Sequence, residues 1–249
     1  MKNGLMLVLV LLLAGTAANA AEFTTSGNSV VYNGVIESFA PVQITQNFDV
    51  TLIEPVQVAC GVAGTYTTQN WFLRRFLLAV DHGITHALAV QSVDWGVEQL
   101  DMADGSVPPD FGVDVVLFEA AVGSGNLFAN MIEIARVTHT IGAGDVGTIV
   151  NTPIAGSIAD PTLGDLWVAL DAPDGSTVGV GLQFRSGANG VGVLRDAFIA
   201  AESCAITDPT GVSDIAFPDS LTIFVVNGDV DDTTPTIEAS WGQVKALYR

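Results

Sequence analysis

Residues 69 to 98 read QNWFLRRFLLAVDHGITHALAVQSVDWGVE, two apolar runs separated by Asp81, His82 and Gly83. No other part of the chain is as dense in Trp, Phe, Leu and Val, so this pair is expected at the centre of the core. In the first run Phe72, Phe76, Leu78 and Val80 share one parity, and Trp71, Leu73 and Leu77 share the other. Apolar side chains on both parities predict a central strand covered on both faces, with a helix the alternative that periodicity leaves open. In the second run Leu88 and Val90 lie on one parity, and Val93, Trp95 and Val97 on the other. That slip of one residue is what a β-bulge near Gln91 and Ser92 produces, and it keeps both halves facing the core.

Arg74 has the parity of Phe72 and Phe76, so its guanidinium is expected to point inward. An unpaired charge there is costly enough to demand a carboxylate. Asp94 and Glu98 are the nearest in sequence, and a structural Arg74–Glu98 ion pair is the expectation, since Arg suits bidentate buried pairs. A ligand-binding arginine is the alternative.

The order Asn70, Trp71, Arg74, Phe76, then Gly83-Ile84, Val90, Val93 and Trp95-Gly96-Val97-Glu98 resembles a pattern of secreted bacterial jelly-roll β-sandwich domains found beside proteases or surface-anchoring tails. Phe184-Arg185-Ser186-Gly187-Ala188-Asn189, followed by Phe198-Ile199 and Ser203-Cys204, is similar to the second half of that pattern. The resemblance spans roughly residues 60 to 226. It implies an exported sandwich and no shared catalytic residues.

Residues 1 to 20, MKNGLMLVLVLLLAGTAANA, carry one basic Lys2, an apolar run from Leu5 to Ala14 and a small-residue ending at Ala18-Asn19-Ala20. This is the pattern of a secretory signal peptide with an A-x-A cleavage site, its apolar run too short for a membrane span. No transmembrane segment is expected in the mature chain. Residues 21–226 are expected to form one β-sandwich domain.

The formal charge is −19, and loss of Lys2 with the leader makes it −20. Such a surface repels phosphate backbones and anionic lipids, which argues against nucleic-acid binding and against charge-driven membrane attachment. Cys60 and Cys204 are the only cysteines. In an exported chain they most simply form one disulfide.

Strand signals recur along the chain. Val30-Val31-Tyr32, Asn33-Gly34 and Val35-Ile36 predict a hairpin with a type I′ turn. Phe48, Val50 and Leu52 alternate with Asn47, Asp49 and Thr51, predicting a strand with one wet face, ended by Pro55. Val113–Phe118 and Leu127–Val137 predict strands joined across Gly123-Ser124-Gly125-Asn126, and residues 142 to 164 short strands and loops. Leu166, Val168 and Leu170 form another strand. Val178, Val180, Leu182 and Phe184 alternate with Gly179, Gly181 and Gln183, a strand whose bare outer parity needs a close neighbour. Gly187 to Gly192 is the expected cover, with a ligand surface the alternative. Ala197–Ala201 and Leu221–Val226 complete an all-β, jelly-roll-like antiparallel sandwich.

Asn227 to Ala239, NGDVDDTTPTIEA, reads as an acidic linker. In the tail, residues 240–249, Trp241, Val244 and Leu247 recur at helical spacing behind Ser240 as a cap. The tail is read as either a docking tag for a sorting or assembly partner or an element packed on the body.

Motifs of catalysis are weak. His82 and His86 flank a turn and would not share a face as a zinc pair does, and His139 stands alone near a strand end. Ser124 and Ser186 have flanking glycines at offsets that miss the nucleophile elbow. Facing carboxylates would suffice for a glycosidase, but 27 acids make some pair inevitable. Calcium is the cofactor weighed: Asp101, Asp104 and Ser106 around Gly105, and Asp171 and Asp174 before Gly175, put oxygens on tight turns. The same Asp-Gly chemistry forms plain turns.

The expectation is therefore a secreted, non-catalytic sandwich with an extracellular structural, adhesion or surface-associated role and a glycan or cell-surface protein as partner. A carbohydrate-binding module is the alternative, with Trp71, Trp95, Trp167 and Tyr66 as its aromatics, and a secreted hydrolase the second. The calcium reading predicts a rise of several degrees in the melting midpoint between EDTA and roughly millimolar calcium; an unchanged midpoint would leave the aspartates as turn formers.

Overall fold

In a computed structural model the chain is described over residues 22–26, 29–33 and 39–231, apart from Leu52 and Gly192. It divides into two units, Phe39–Thr234 and a smaller one drawn from Met1–Ser38 and Pro235–Arg249. In the smaller, β1 (Glu22–Ser26) pairs antiparallel with β2 (Ser29–Asn33), so Val30–Tyr32 faces an upstream partner. The expected partner across Asn33-Gly34, the leader at 1–20, the linker beyond Asp231 and the tail at 240–249 lie outside the described residues.

The larger unit begins with β3 (Phe39–Thr45), short β4 (Gly61–Val62) and β5 (Tyr66–Thr67), β6 (Asn70–Phe76) and helix α1 (Leu78–His82). Next come β7 (Leu88–Met102), β8 (Phe111–Ala121), β9 (Met131–Ile141), β10 (Ile149–Ile158) and β11 (Gly164–Ala172). The chain closes with β12 (Leu182–Ser186), β13 (Phe198–Ala201), β14 (Ile206–Gly211) and β15 (Phe224–Asp231).

One antiparallel sheet has the order β10-β7-β15-β3, with β12 paired to the far half of β7, and the other the order β14-β13-β6-β11-β8-β9. Both contribute to one core, in which Phe72, Val115 and Val168 of the second sheet lie with Val93, Trp95 and Phe224 of the first. The larger unit is an all-β sandwich.

The decisive stretch supplies a central strand to each sheet. β6 lies between β13 and β11, and β7 between β10 and β15. The bulge is present: β15 pairs Asn227 with Ser92 and Gly228 with Val90, leaving Gln91 as the extra residue. The first run is shorter than its pattern predicts. After Phe76 the chain makes one helical turn, stopped by Gly83 at φ 66°, with the Ile84 amide bonded back to Leu78 O.

Two other expected strands are corrected. Residues 48 to 51 bend instead, because Asn47 bridges to Val193 and Asp49 accepts from Thr51, leaving Phe48 70% exposed. In the 178–184 stretch only Leu182 onward is strand; Gly179 and Gly181 take φ of 53° and 114°, which side chains resist. The close neighbour of Gly181 is Thr65, whose carbonyl would lie 2.6 Å from an added Cβ, not Gly187 to Gly192. β15 also runs on through Asn227–Asp231, past the expected start of the linker. Cys60 and Cys204 form the disulfide, with Cα atoms 6.0 Å apart across 144 residues. Chain entropy makes such a loop worth about 5 kcal/mol.

Arg74 points inward as its parity requires, but Glu98 is not its partner. Its Nε donates to Thr222 O at 2.8 Å, one terminal nitrogen to Arg195 O at 2.6 Å and the other to Asn47 Oδ1 at 3.0 Å. Burial pushes the guanidinium down to about 9, with Asp196 opposing it, so it stays charged at neutral pH. Glu98 instead accepts from the Gln57 amide at 2.9 Å and lies 3.7 Å from Arg185. Neutral oxygens satisfy Arg74 because its fork reaches two backbone carbonyls that have no strand partner of their own. Replacing it strands those acceptors in the core: Arg74→Met is expected to lower unfolding free energy by about 3 to 5 kcal/mol in urea titration, and Arg74→Lys by less. An Arg74→Met protein as stable as the parent would refute this account.

Candidate functional site

The second sheet has two faces of different character. Its inner parity fills the shared core, while its outer parity carries a separate apolar cluster of Leu73, Val116, Phe118, Ala120, Trp167 and Ala169. Half-buried Trp71, Phe128, Met131 and Phe198 pack over it. This explains the double-sided apolar pattern of β6: its outer parity is covered by aromatics and by the 122–130 loop. Arg75 fixes that loop, donating to Asp165 at 2.6 and 2.9 Å and to Ser124 O and Asn126 Oδ1 at 3.4 and 3.3 Å, while its guanidinium lies 5.6 Å from the Trp167 ring centre. Farther along, the Phe128 amide donates to Asp208 Oδ1 at 3.1 Å, tying the loop to β14.

Register aligns a polar row beside this cluster. Trp71 pairs with Asp171, Asp171 with Asp114, and Asp114 with Thr138. Arg136 reaches across from β9, donating to Asp114 at 2.9 Å, Asp171 at 3.0 Å and Glu133 at 2.9 Å, and its guanidinium lies 5.5 Å from the Trp71 ring centre. Hydrogen bonds donated to Glu133 outweigh burial and hold the guanidinium protonated well above its ordinary range. Burial raises the Asp114 carboxyl, but bonds from Thr138 and Arg136 prevail and hold it below the usual range. Gln69 donates to the other oxygen of Asp171 at 2.8 Å.

Gln69 is also the meeting point of three shallow depressions. One of about 340 Å³ runs over Asp114, Asp171 and Asp174; one of about 330 Å³ reaches Thr68, Glu202 and Ser203; one of about 230 Å³ is lined by Trp71, Phe128 and Ile206. Asp174 is shared by the first two and Glu202 by the last two, so they form one continuous trough. Arg136, Asp114, Gln69 and Phe128 carry no motif. The only sequence signal for them is the parity that sets Asp114 and Asp171 outward.

Of the residues expected to hold calcium, Asp171 and Asp174 line one depression, and all four acids already accept hydrogen bonds. Asp104 accepts from the amide and hydroxyl of Ser106 at 3.0 and 2.6 Å, and Asp101 from Gln99 at 3.0 Å. Asp174 caps a short turn through the Ser176 amide at 2.8 Å, and Asp171 is bound to Arg136 and Gln69. Asp104 and Asp174 thus serve turns, Asp171 an ion pair and Asp101 a bond from a neighbouring amide. Among the described residues no group of three or more His, Cys, Asp or Glu could hold a metal.

Of the four aromatics, Trp95 and Trp167 are 0% and 1% exposed, whereas Trp71 and Tyr66 are half-buried. Trp95 donates to Thr152 Oγ1 at 2.8 Å, and that oxygen lies 3.0 Å from Nδ1 of His139. Ser186 is buried, Ser124 half-buried and His86 exposed.

No family model matches the sequence, and no curated protein matches it. A solved structure of infectious bursal disease virus Gx strain is similar over 84% of this chain, at 11% identity and a TM-score of 0.24. The chain spans 40% of that one, and a likeness this low carries no argument.

His82 and His139 predict a pH dependence. Burial lowers both imidazoles below their ordinary value, against the pull of Asp81 and Asp145 respectively. The unfolded chain therefore binds the proton first, so their contribution is present above about pH 6.5 and is lost as pH falls through the lowered folded values. Urea midpoints are expected to fall between about pH 7.5 and 5.5, and His82→Gln and His139→Gln each to flatten that slope. A slope unchanged in both variants would assign it elsewhere.

Proposed function

We propose that the chain is a secreted, non-catalytic module with jelly-roll-like connectivity and an extracellular structural, adhesion or surface-associated role. The observation that carries this reading is the Cys60–Cys204 disulfide across 144 residues, a bond that persists in oxidising compartments. The leader-like residues 1–20 support export. No helix among the described residues is long and apolar enough to cross a membrane.

The chemistry of the outer face supports the non-catalytic part. Hydrolysis of a glycoside needs one carboxyl that holds a proton at working pH. Asp114 and Asp171 both accept from Arg136, and bonds from Thr138 and Arg136 hold the Asp114 carboxyl below the usual range, which unsuits it as the acid. A carbohydrate-binding module is the second reading, favoured by half-buried Trp71 beside the trough. The partner on either reading is a glycan or a cell-surface protein, and residues 240–249 serve as the docking segment for a sorting partner.

Expression with the native leader in a bacterial host tests this. The expected product is exported, begins at Ala21 and carries the oxidised disulfide, with no turnover of chromogenic esters, glycosides or peptides. Retention of residues 1–20 in a reduced cytosolic protein, or turnover abolished by a single carboxylate substitution, would refute it.

A further inference from the structure

We propose that the trough through Gln69 is a binding site for a neutral oligosaccharide, laid with one ring per depression. This rests on the surface-module reading and names what the module holds. At one end Trp71, Phe128 and Ile206 line a depression together with Ala200 and Ala201, an apolar surface suited to the C–H groups of a pyranose. Along the rim stand oxygens with spare capacity. The Glu202 carboxylate has no partner among the described residues, Asp174 uses one oxygen on the Ser176 amide, and the Gln69 carbonyl is free while its amide donates to Asp171. These acceptors suit hydroxyl donors.

Charge narrows the ligand further. Asp114, Asp171, Asp174 and Glu202 line the trough, with Arg136 the cation beside it. A uronate, sulfate or phosphate would meet repulsion. A basic peptide meets a different obstacle: Arg136 already occupies the place over Trp71, and between Asp114 and Asp171, that a ligand cation would take. What remains open to bonding is acceptors and an apolar floor. The wall is also set in advance, because Arg75 and Asp208 hold the 122–130 loop that carries Phe128. A preformed wall spares a ligand the ordering entropy that weakens binding to mobile loops.

Titration calorimetry of the oxidised protein tests this, with cello-, xylo-, manno- and chito-oligosaccharides, oligogalacturonate and an oligo-arginine peptide as probes. At least one neutral oligosaccharide is expected to bind with Kd below about 1 mM, and oligogalacturonate at least about tenfold more weakly. Gln69→Ala and Glu202→Ala lie on the exposed rim, so melting midpoints matching the parent verify their folds; each is expected to weaken binding about tenfold. Trp71→Ala is expected to abolish it. Absence of neutral-sugar binding up to about 10 mM, or binding indifferent to both rim variants, overturns the proposal. Tighter binding of oligo-arginine that responds to those variants also overturns it, in favour of a basic peptide. Mass analysis of the same sugars separates the two readings: cleavage products would refute the non-catalytic module and leave the binding site standing.

Discussion

A charged guanidinium enclosed between two sheets has to find acceptors before the core can close. Arg74 finds them in the carbonyls of Arg195 and Thr222 and the side chain of Asn47, so three segments distant in sequence are gathered around one cation. The surrounding bonds depend on it. Asn47 donates onward to Leu221 O at 3.1 Å, Gln46 donates to Arg75 O, and the Leu194 amide returns to Gln46 O at 3.0 Å. These irregular segments fill the sandwich where no strand ladder could satisfy their backbone, which is the condition for burying a loop.

The same strand that sends Arg74 inward sends Trp71, Leu73 and Arg75 outward. One parity of β6 thus organises the main core, and the other organises a roofed apolar cluster and the trough beside it. Arg75 and Arg136 play corresponding parts on this face, each held by carboxylates and each lying over a tryptophan, at 5.6 and 5.5 Å. The Trp167 ring is sealed beneath its arginine, whereas Trp71 remains at the edge of a depression. Midway the trough runs over Ser203, beside the disulfide that fixes the β13–β14 turn to the start of β4.

The sequence by itself determined the features whose cause is local. Alternation within β8 and β11, the slip at Gln91, the inward parity of Arg74 and the stop at Gly83 all follow from a period of two and from backbone preferences a few residues long. Two cysteines left one intramolecular pairing. Tertiary structure decided what depends on which segments meet. Glu98 was a reasonable partner for Arg74 at short range, yet the acceptors came from 121 and 148 residues away. Phe48 and Val50 alternate as a strand would, but Asn47 and Asp49 were committed to other bonds. Gly179 and Gly181 read as a strand's bare face and proved to be turn positions beneath Thr65. The trough was least legible, because Gln69, Arg136, Asp174 and Glu202 come from separate elements. Only the register of the strands and the fold of the loops between them, set by burial over the whole chain, places those side chains together.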